Sequence, residues 1–316
     1  MQKPGKIVTA DKSTENTNDY HVPVLLNEVI DGLDIKAGGV YVDCTFGGGG
    51  HSKAILNKLG SNGKLIVFDQ DVSAKQNLPD DERVIFVQQN FRHLQRFLRV
   101  NKQVSVDGIL ADLGVSSFQF NEADRGFSTR FDAALDMRMD NRQQTTAADV
   151  LKQLSEVQLQ KMFEKYGEVT NAKTLARTII EQRSIAAIKT ISQFKEAIKN
   201  VVKGNPNKYL AQVFQALRIE VNDEMGALKE MLEQSINVLK PGGRVAIISF
   251  HSLEDRVVKN FFKNGTFEEK ENDDVFGRKE EPKLKIITRK PIIPGDAELK
   301  NNSRSRSAKL RIAEKK

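Results

Sequence analysis

The chain has little of the chemistry that builds disulfides or metal sites. Its 316 residues include one cysteine, Cys44, four histidines and no tryptophan. A single cysteine excludes an intramolecular disulfide framework and a multi-cysteine zinc site. No histidine spacing typical of a metal site occurs, so no metal is expected.

Long hydrophobic runs are also missing. No apolar segment approaches the ~18–20 residues that a membrane span needs. The first twenty residues are polar and contain no apolar segment of signal-peptide length. We therefore expect a cytoplasmic protein without a membrane partner.

Basic residues exceed acidic ones, and the excess is concentrated. The net charge is +7, and residues 161–210 contain ten Lys or Arg against four Asp or Glu. A basic segment beside a catalytic domain favours a polyphosphate partner, because each neutralised phosphate releases counterions. Taken alone, however, a charge run is more often a solvated helix face.

Short apolar runs alternate with helical segments, which predicts an α/β fold. The length suits about two domains, or one domain with a large insertion. Alternation of this kind is typical of a parallel sheet with helices on both faces. The predicted strands are residues 40–44, 64–68, 84–87, 107–111 and 244–250, with 284–288 and 309–313 at the far edge.

The strand rhythm stops between residues 112 and 244. Thr146 and Asp149 have the spacing of a capping box, which opens a helix with Val157 on its apolar side. Apolar residues then recur at helical spacing up to Leu239. We therefore predict a flexible extension (1–20), an α/β domain (21–140 and 210–316) and an inserted helical domain (141–209).

Four glycines follow the first predicted strand, from Gly47 to Gly50. Glycine lets a ligand approach the backbone, and a helix that starts there offers unpaired N–H groups. Asp69 closes the second strand nineteen residues later, where a carboxylate can accept hydrogen bonds from ribose hydroxyls. Together these features predict an adenosine-cofactor site, whereas a glycine run alone indicates only a flexible loop.

Two cofactor classes suit such a site, a nicotinamide dinucleotide and S-adenosylmethionine. The dinucleotide pattern G-x-G-x-x-G fails here at Ser52. Asp43 and Asp112 close the first and fourth strands, so three carboxylates, with Asp69, would surround one pocket. They would repel a pyrophosphate and attract amino and sulfonium groups, which favours S-adenosylmethionine. Phe91 either supplies an aromatic face for adenine or packs in the core.

Two charged stretches lie outside this pattern. Residues 125–140 form a loop-like segment that contains Asp136. Residues 249–256 directly follow the fifth strand, so His251 emerges at the same edge of the sheet. An imidazole there could titrate near neutrality or bond a base edge, although a lone histidine is more often structural.

The sequence resembles the bacterial ribosomal RNA small subunit methyltransferase H (MraW-type) family from about residue 21 to the C-terminus. The resemblance is carried by eight ordered blocks: residues 21–28 (HVPVLLNE), 43–52 (DCTFGGGGHS), 112–117 (DLGVSS), 125–128 (RGFS), 135–140 (LDMRMD), 214–219 (FQALRI), 249–256 (SFHSLEDR) and 303–311 (SRSRSAKLR).

The resemblance implies a class I S-adenosylmethionine-dependent methyltransferase, with a Rossmann-like, mostly parallel sheet and an inserted all-helical substrate-recognition domain. It implies methylation of the N4 amine of cytidine 1402 in the decoding region of 16S rRNA, within the small ribosomal subunit. At Phe118 the family usually has proline. The cofactor contacts that it implies are Gly49, Gly50, His51, Asp69, Phe91, Asp112 and Gln119.

The chemistry needs an acceptor for an amine hydrogen, an in-line methyl group and an unstacked base. Amino-methyltransferases of DNA usually carry a double proline after strand four, but residues 112–115 read DLGV. We expect Asp112 to be the acceptor, and Asp136 and His251 to hold the base. The alternatives are another nucleic-acid amino-methyltransferase (DNA N4-cytosine or N6-adenine), a nicotinamide oxidoreductase and a non-catalytic RNA-binding protein. Monomer and homodimer both stay open.

Overall fold

The computed structural model describes residues 23–116, 122, 125–268 and 281–316. The expected N-terminal extension, Phe118 and Gln119 lie outside the described residues. None of the helices in the described ranges is long and apolar enough to cross a membrane.

A seven-stranded sheet forms the centre of the described structure, in the order β3-β2-β1-β4-β5-β7-β6. The strands are β1 (Val40–Asp43), β2 (Lys64–Phe68), β3 (Val84–Val87), β4 (Val106–Asp112), β5 (Leu239–Ser249), β6 (Leu284–Ile286) and β7 (Lys309–Lys315). Strands β1 to β5 are parallel, while β7 is antiparallel to both of its neighbours. The predicted α/β class and the two far-edge strands are confirmed.

Strand β5 begins five residues before its predicted start. Leu239 already pairs with Val106, and the register then shifts before Arg244 pairs with Gly108. The turn at Pro241 therefore lies inside the paired region and not ahead of it.

The helices lie on both faces of the sheet and also form a separate cluster. They are α1 (Leu26–Leu33), α2 (Gly50–Lys58), α3 (Leu94–Val100), α4 (Ala147–Gln153), α5 (Glu156–Gly167), α6 (Ala172–Ile185), α7 (Ile191–Ile198), α8 (Pro206–Asn222), α9 (Glu224–Val238), α10 (Ser252–Asn264) and α11 (Asp296–Asn301). Successive strand residues point to opposite faces, so Ile109 packs under α3, α9 and α10 while Leu110 packs under α1 and α2. The edge where the parallel strands end is left between these layers.

Helices α4 to α8 pack around their own apolar cluster, with Phe163 and Phe194 fully buried. Thr146 and Asp149 form the predicted capping box. Val157 is 60% exposed, so its predicted place on the apolar side is wrong. The reason is local: α4 ends at Gln153 and Ser155 caps a new helix, which turns the apolar face.

The helical cluster draws side chains from Phe127 to Val221, beyond both ends of residues 141–209. Its two ends are joined by the buried side chain of Asn222. The Asn222 amide accepts a hydrogen bond from the N–H of Met139 (2.8 Å) and donates one to the carbonyl of Met137 (2.8 Å). The domain boundaries stay a prediction, and Asn222 fixes where the chain enters and leaves the cluster.

Candidate active site

A cavity of about 1350 Å³ opens at the carboxyl edge of the parallel strands. Its walls come from the segments after β1, β2, β3, β4 and β5, together with the start of α1 and residues 295–304. Parallel strands end at one edge of a sheet, which is why residues so distant in sequence meet there.

The glycine run forms the floor of this cavity. Gly47 (φ +51°) and Gly49 (φ +75°) adopt left-handed backbone that favours glycine. Gly48 and Gly50 line the cavity. Gly49, a predicted cofactor contact, lies behind that surface, where a Cβ would come within 3.0 Å of the Phe46 ring. Gly49 therefore shapes the turn, and a Cβ at Gly50 would clash with the Pro23 ring, so Gly48 is the neighbour that offers open backbone.

Asp43 does not take its expected place among the cavity carboxylates. It is 1% exposed and does not line the cavity. One of its oxygens accepts the N–H of Thr45 (3.0 Å), and the other accepts the hydroxyl of Ser52 (2.7 Å). Its carboxylate thus clamps the two ends of the glycine loop, so two of the three predicted carboxylates, Asp69 and Asp112, line the cavity.

Asp69 lies where β2 ends. Its Oδ2 accepts the N–H of Gly47 (2.8 Å), and its Oδ1 accepts the N–H of Asp71 (2.8 Å). Burial, together with the nearby Asp71 and Asp43 carboxylates, raises the pKa of Asp69 to about 6. Each carboxylate oxygen keeps a second lone pair, so Asp69 can still accept hydrogen bonds from a ribose.

Phe91 lines the same side of the cavity, directly after the turn that follows β3. Sequence reasoning missed the polar residues beside it. Asn90 donates from Nδ2 to Oε1 of Gln70 (2.9 Å), and Gln70 contacts the sulfur of Met139 (3.2 Å). Their positions next to Phe91 and Asp69 were the signal that could have revealed them.

Asp112 ends β4 and faces the cavity next to His51. The Asp112 Oδ2 is 3.7 Å from Nδ1 of His51, and the Asp112 Oδ1 is buried without a hydrogen-bond partner. Burial raises the pKa of Asp112 to about 6; the Asp43 and Glu254 carboxylates add to this and His51 opposes it. His51 itself bonds the carbonyl of Val24 through Nε2 (2.9 Å), which requires a proton on that nitrogen.

Glu254, rather than His251, reaches the cavity from the segment after β5. Glu254 is 2% exposed and accepts the N–H of Phe250 (2.9 Å). His251 caps α10 and its Nε2 lies 3.1 Å from the Glu254 carboxylate. Burial alone would raise the pKa of Glu254, but His251, Phe250 and Arg218 outweigh it and lower that pKa. Sequence reasoning chose the histidine of this motif and missed the carboxylate that it supports.

Asp136 lies away from the cavity walls. Its carboxylate forms a two-pronged ion pair with Arg138 (2.7 Å to Nε and to Nη2). Burial opposes ionisation, but the bonds to Arg138 prevail and lower the pKa of Asp136. Of the predicted site residues, the structure therefore brings Gly50, His51, Asp69, Phe91 and Asp112 together and leaves Asp136 in a structural pair.

These walls fit S-adenosylmethionine. Nothing within 4 Å obstructs the position that a Cβ would occupy at Gly48, so a ligand can lie against that backbone. Asp69 and Phe91 line the same cavity, and Phe91 also packs against the core. A glycine loop at the carboxyl edge of a mostly parallel α/β sheet, with these groups around it, defines a class I S-adenosylmethionine-dependent methyltransferase.

The chain belongs to the MraW methylase family, whose model matches residues 18–316. Three similar proteins are named ribosomal RNA small subunit methyltransferase H. The one from Flavobacterium johnsoniae is 55% identical over 95% of this chain and 99% of its own. Those from Parabacteroides distasonis (95% and 99% covered) and Bacteroides thetaiotaomicron (94% and 98%) are each 53% identical. The predicted family and cofactor are confirmed.

Proposed function

We propose that this protein transfers the methyl group of S-adenosylmethionine to the N4 amine of a cytidine in 16S ribosomal RNA, cytidine 1402 by family resemblance. The names of the relatives support a small-subunit RNA substrate. An amine is proposed as the target because Oδ1 of Asp112 is a buried hydrogen-bond acceptor without a partner in the protein. An amine of the substrate would supply the missing donor.

In this proposal, Asp112 accepts a hydrogen bond from the amine. This bond would orient the nitrogen lone pair. When bound, S-adenosylmethionine would supply an electrophilic methyl group to that lone pair, and the electron pair of the broken carbon–sulfur bond would stay on sulfur. The proton lost from nitrogen passes to the Asp112 carboxylate, whose raised pKa suits a base that is ionised near neutral pH.

The residues proposed to bind the cofactor position it and take no part in the chemical step. Asp69 holds the ribose, Phe91 lies against adenine and the Gly48 backbone admits the methionine part. Precise placement of this kind makes a large contribution to methyl transfer, because the two reacting atoms must be in line. Gln119 remains a predicted cofactor contact outside the described residues.

The helical cluster is proposed to bind the RNA around the target. Lys199, Lys203 and Lys208, all exposed, belong to the basic stretch 161–210. Charge of this kind contributes affinity without sequence preference. Asp136 and His251 were predicted to hold the base. We now propose that His251 positions the carboxylate of Glu254, which lines the cavity, while the role of Asp136 stays a prediction.

One assay separates this function from a DNA methyltransferase. The purified protein is incubated with methyl-tritiated S-adenosylmethionine and small ribosomal subunits, free 16S RNA or DNA. The modified nucleic acid is then digested to nucleosides and analysed by mass spectrometry. We expect label in small subunits as N4-methylcytidine. Label confined to DNA, or methyl groups on another atom, would refute the proposal.

A further inference from the structure

One wall of the cavity comes from residues 295–304, far from the other site residues in sequence. This segment has a fixed structure. Ser305 is fully buried and donates its hydroxyl to the carbonyl of Asn302 (2.7 Å). The bridge between Ile292 and Leu310 ties the start of the segment to β7.

Asn302 carries an unused donor in that wall. Its Oδ1 accepts the N–H of Arg304 (3.2 Å), so the amide orientation is determined by that bond. Its Nδ2 is buried and has no partner. Among the described cavity-lining side chains, Asp112 and Asn302 are the two with such buried, unpaired atoms: an acceptor oxygen and a donor nitrogen.

A short series of contacts joins the two residues. Asp112 lies 3.7 Å from His51, and His51 bonds the carbonyl of Val24 (2.9 Å). The next residue, Leu25, donates its N–H to Glu298 (2.9 Å), and the carbonyl of Glu298 accepts the N–H of Asn302 (2.7 Å). These contacts link the segment that carries Asn302 to His51, which lines the cavity beside Asp112.

An acceptor and a donor lining one cavity are the two kinds of group that one edge of cytosine requires. Cytosine presents a donor at N4 and an acceptor at the adjacent N3, whereas uracil presents an acceptor at O4 and a donor at N3. Enzymes that modify an extruded base read this edge by hydrogen bonds. We infer that Asn302 donates from Nδ2 to N3 of the target cytosine while Asp112 accepts from N4. This inference rests on the proposed function and adds a residue that selects the base.

Asn302→Asp is the sharpest test, because it keeps the shape and the Oδ1 acceptor for Arg304 and removes the donor. Methyl transfer is measured on small subunits reconstituted with cytidine or 3-deazacytidine at the target position; the analogue carries CH in place of N3. We expect kcat/KM on cytidine to fall about ten- to a hundredfold in the variant. The 3-deaza change should lower kcat/KM in the wild-type protein and cause little further loss in the variant.

Asn264→Asp makes the same charge change at an exposed position outside the cavity and should behave as wild type. Calorimetry with S-adenosylmethionine provides the second readout, and its affinity should stay within about threefold of wild type. The inference would be overturned if the variant and the analogue lowered kcat/KM independently, so that the two fold-changes multiplied. Weakened cofactor binding or unchanged kinetics in the variant would also overturn it. Failure of the wild-type protein to make N4-methylcytidine would instead count against the proposed function.

Discussion

Asp112→Asn removes the charge of the proposed acceptor while keeping its shape. In the structure Asp112 lines the cavity and its Oδ1 is buried without a hydrogen-bond partner. An asparagine would place either a weaker acceptor or a competing NH2 donor there. We expect the rate of the chemical step to fall at least about 10²-fold, which corresponds to about 2.7 kcal/mol in the activation free energy.

The same residue predicts the pH dependence of the wild-type rate. With a pKa of about 6, Asp112 is about nine-tenths ionised at pH 7 and about one-tenth ionised at pH 5. Since its ionised form is the acceptor, the rate should fall about tenfold between those values. Glu254, whose pKa is lowered, stays ionised through most of this window. The Asn variant should lose this part of the pH dependence and keep the part that comes from Asp69, whose pKa is also about 6.

Single-turnover methylation of small subunits, with the cofactor saturating, isolates this step from binding. Asp80→Asn changes an exposed carboxylate outside the site and provides the matched control. Circular dichroism and cofactor calorimetry establish that the Asp112 variant is folded and loaded. A near-normal rate, or a wild-type pH profile in the Asn variant, would refute the role of Asp112.

Three further outcomes test other parts of the structure. Asp69→Ala should weaken S-adenosylmethionine about ten- to a hundredfold in calorimetry, because ribose loses a charged acceptor; unchanged affinity would remove Asp69 from the site. Combined Lys199→Ala, Lys203→Ala and Lys208→Ala should reduce the salt dependence of RNA binding and leave cofactor affinity intact; an unchanged slope would indicate a solvated face. Lys195 is left alone because it bonds the Thr129 carbonyl (3.3 Å). Phe163→Ala should destabilise the helical cluster by about 3–5 kcal/mol in urea unfolding, and a change below about 1 kcal/mol would contradict its packing.

The sheet and much of its functional edge could be predicted, because both follow from local patterns. Apolar runs indicated the strands, and the rule that parallel strands end together brought Asp69 and Asp112 to one edge. The direction in which a single side chain points could not be predicted in the same way. Asp43 ends its strand as Asp112 does, yet it turns into the glycine loop, where Thr45 and Ser52 satisfy it.

Residues that enter the site through tertiary contacts could not be predicted from the sequence. Glu254 lies in the first turn of α10, three residues after the N-cap His251, and the sequence does not show which of the two reaches the cavity. Asn302 depends on the bond between Leu25 and Glu298, which spans 273 positions of the chain. No spacing rule predicts a contact of that range.

The hydrogen bonds of Asn222 to Met137 and Met139 have a consequence for the order of folding. Asp112 of β4 pairs with Ile248 of β5, so the two central strands can meet only after a very long loop closes. Loop closure becomes more costly with length, by about 0.6 kcal/mol for each doubling. When Asn222 joins Met137 and Met139, the helical cluster bridges most of that loop and leaves two shorter connections, residues 113–136 and 223–238. We expect the cluster to form before the sheet does, so that the part of the protein proposed to bind RNA also brings the two halves of the catalytic domain together.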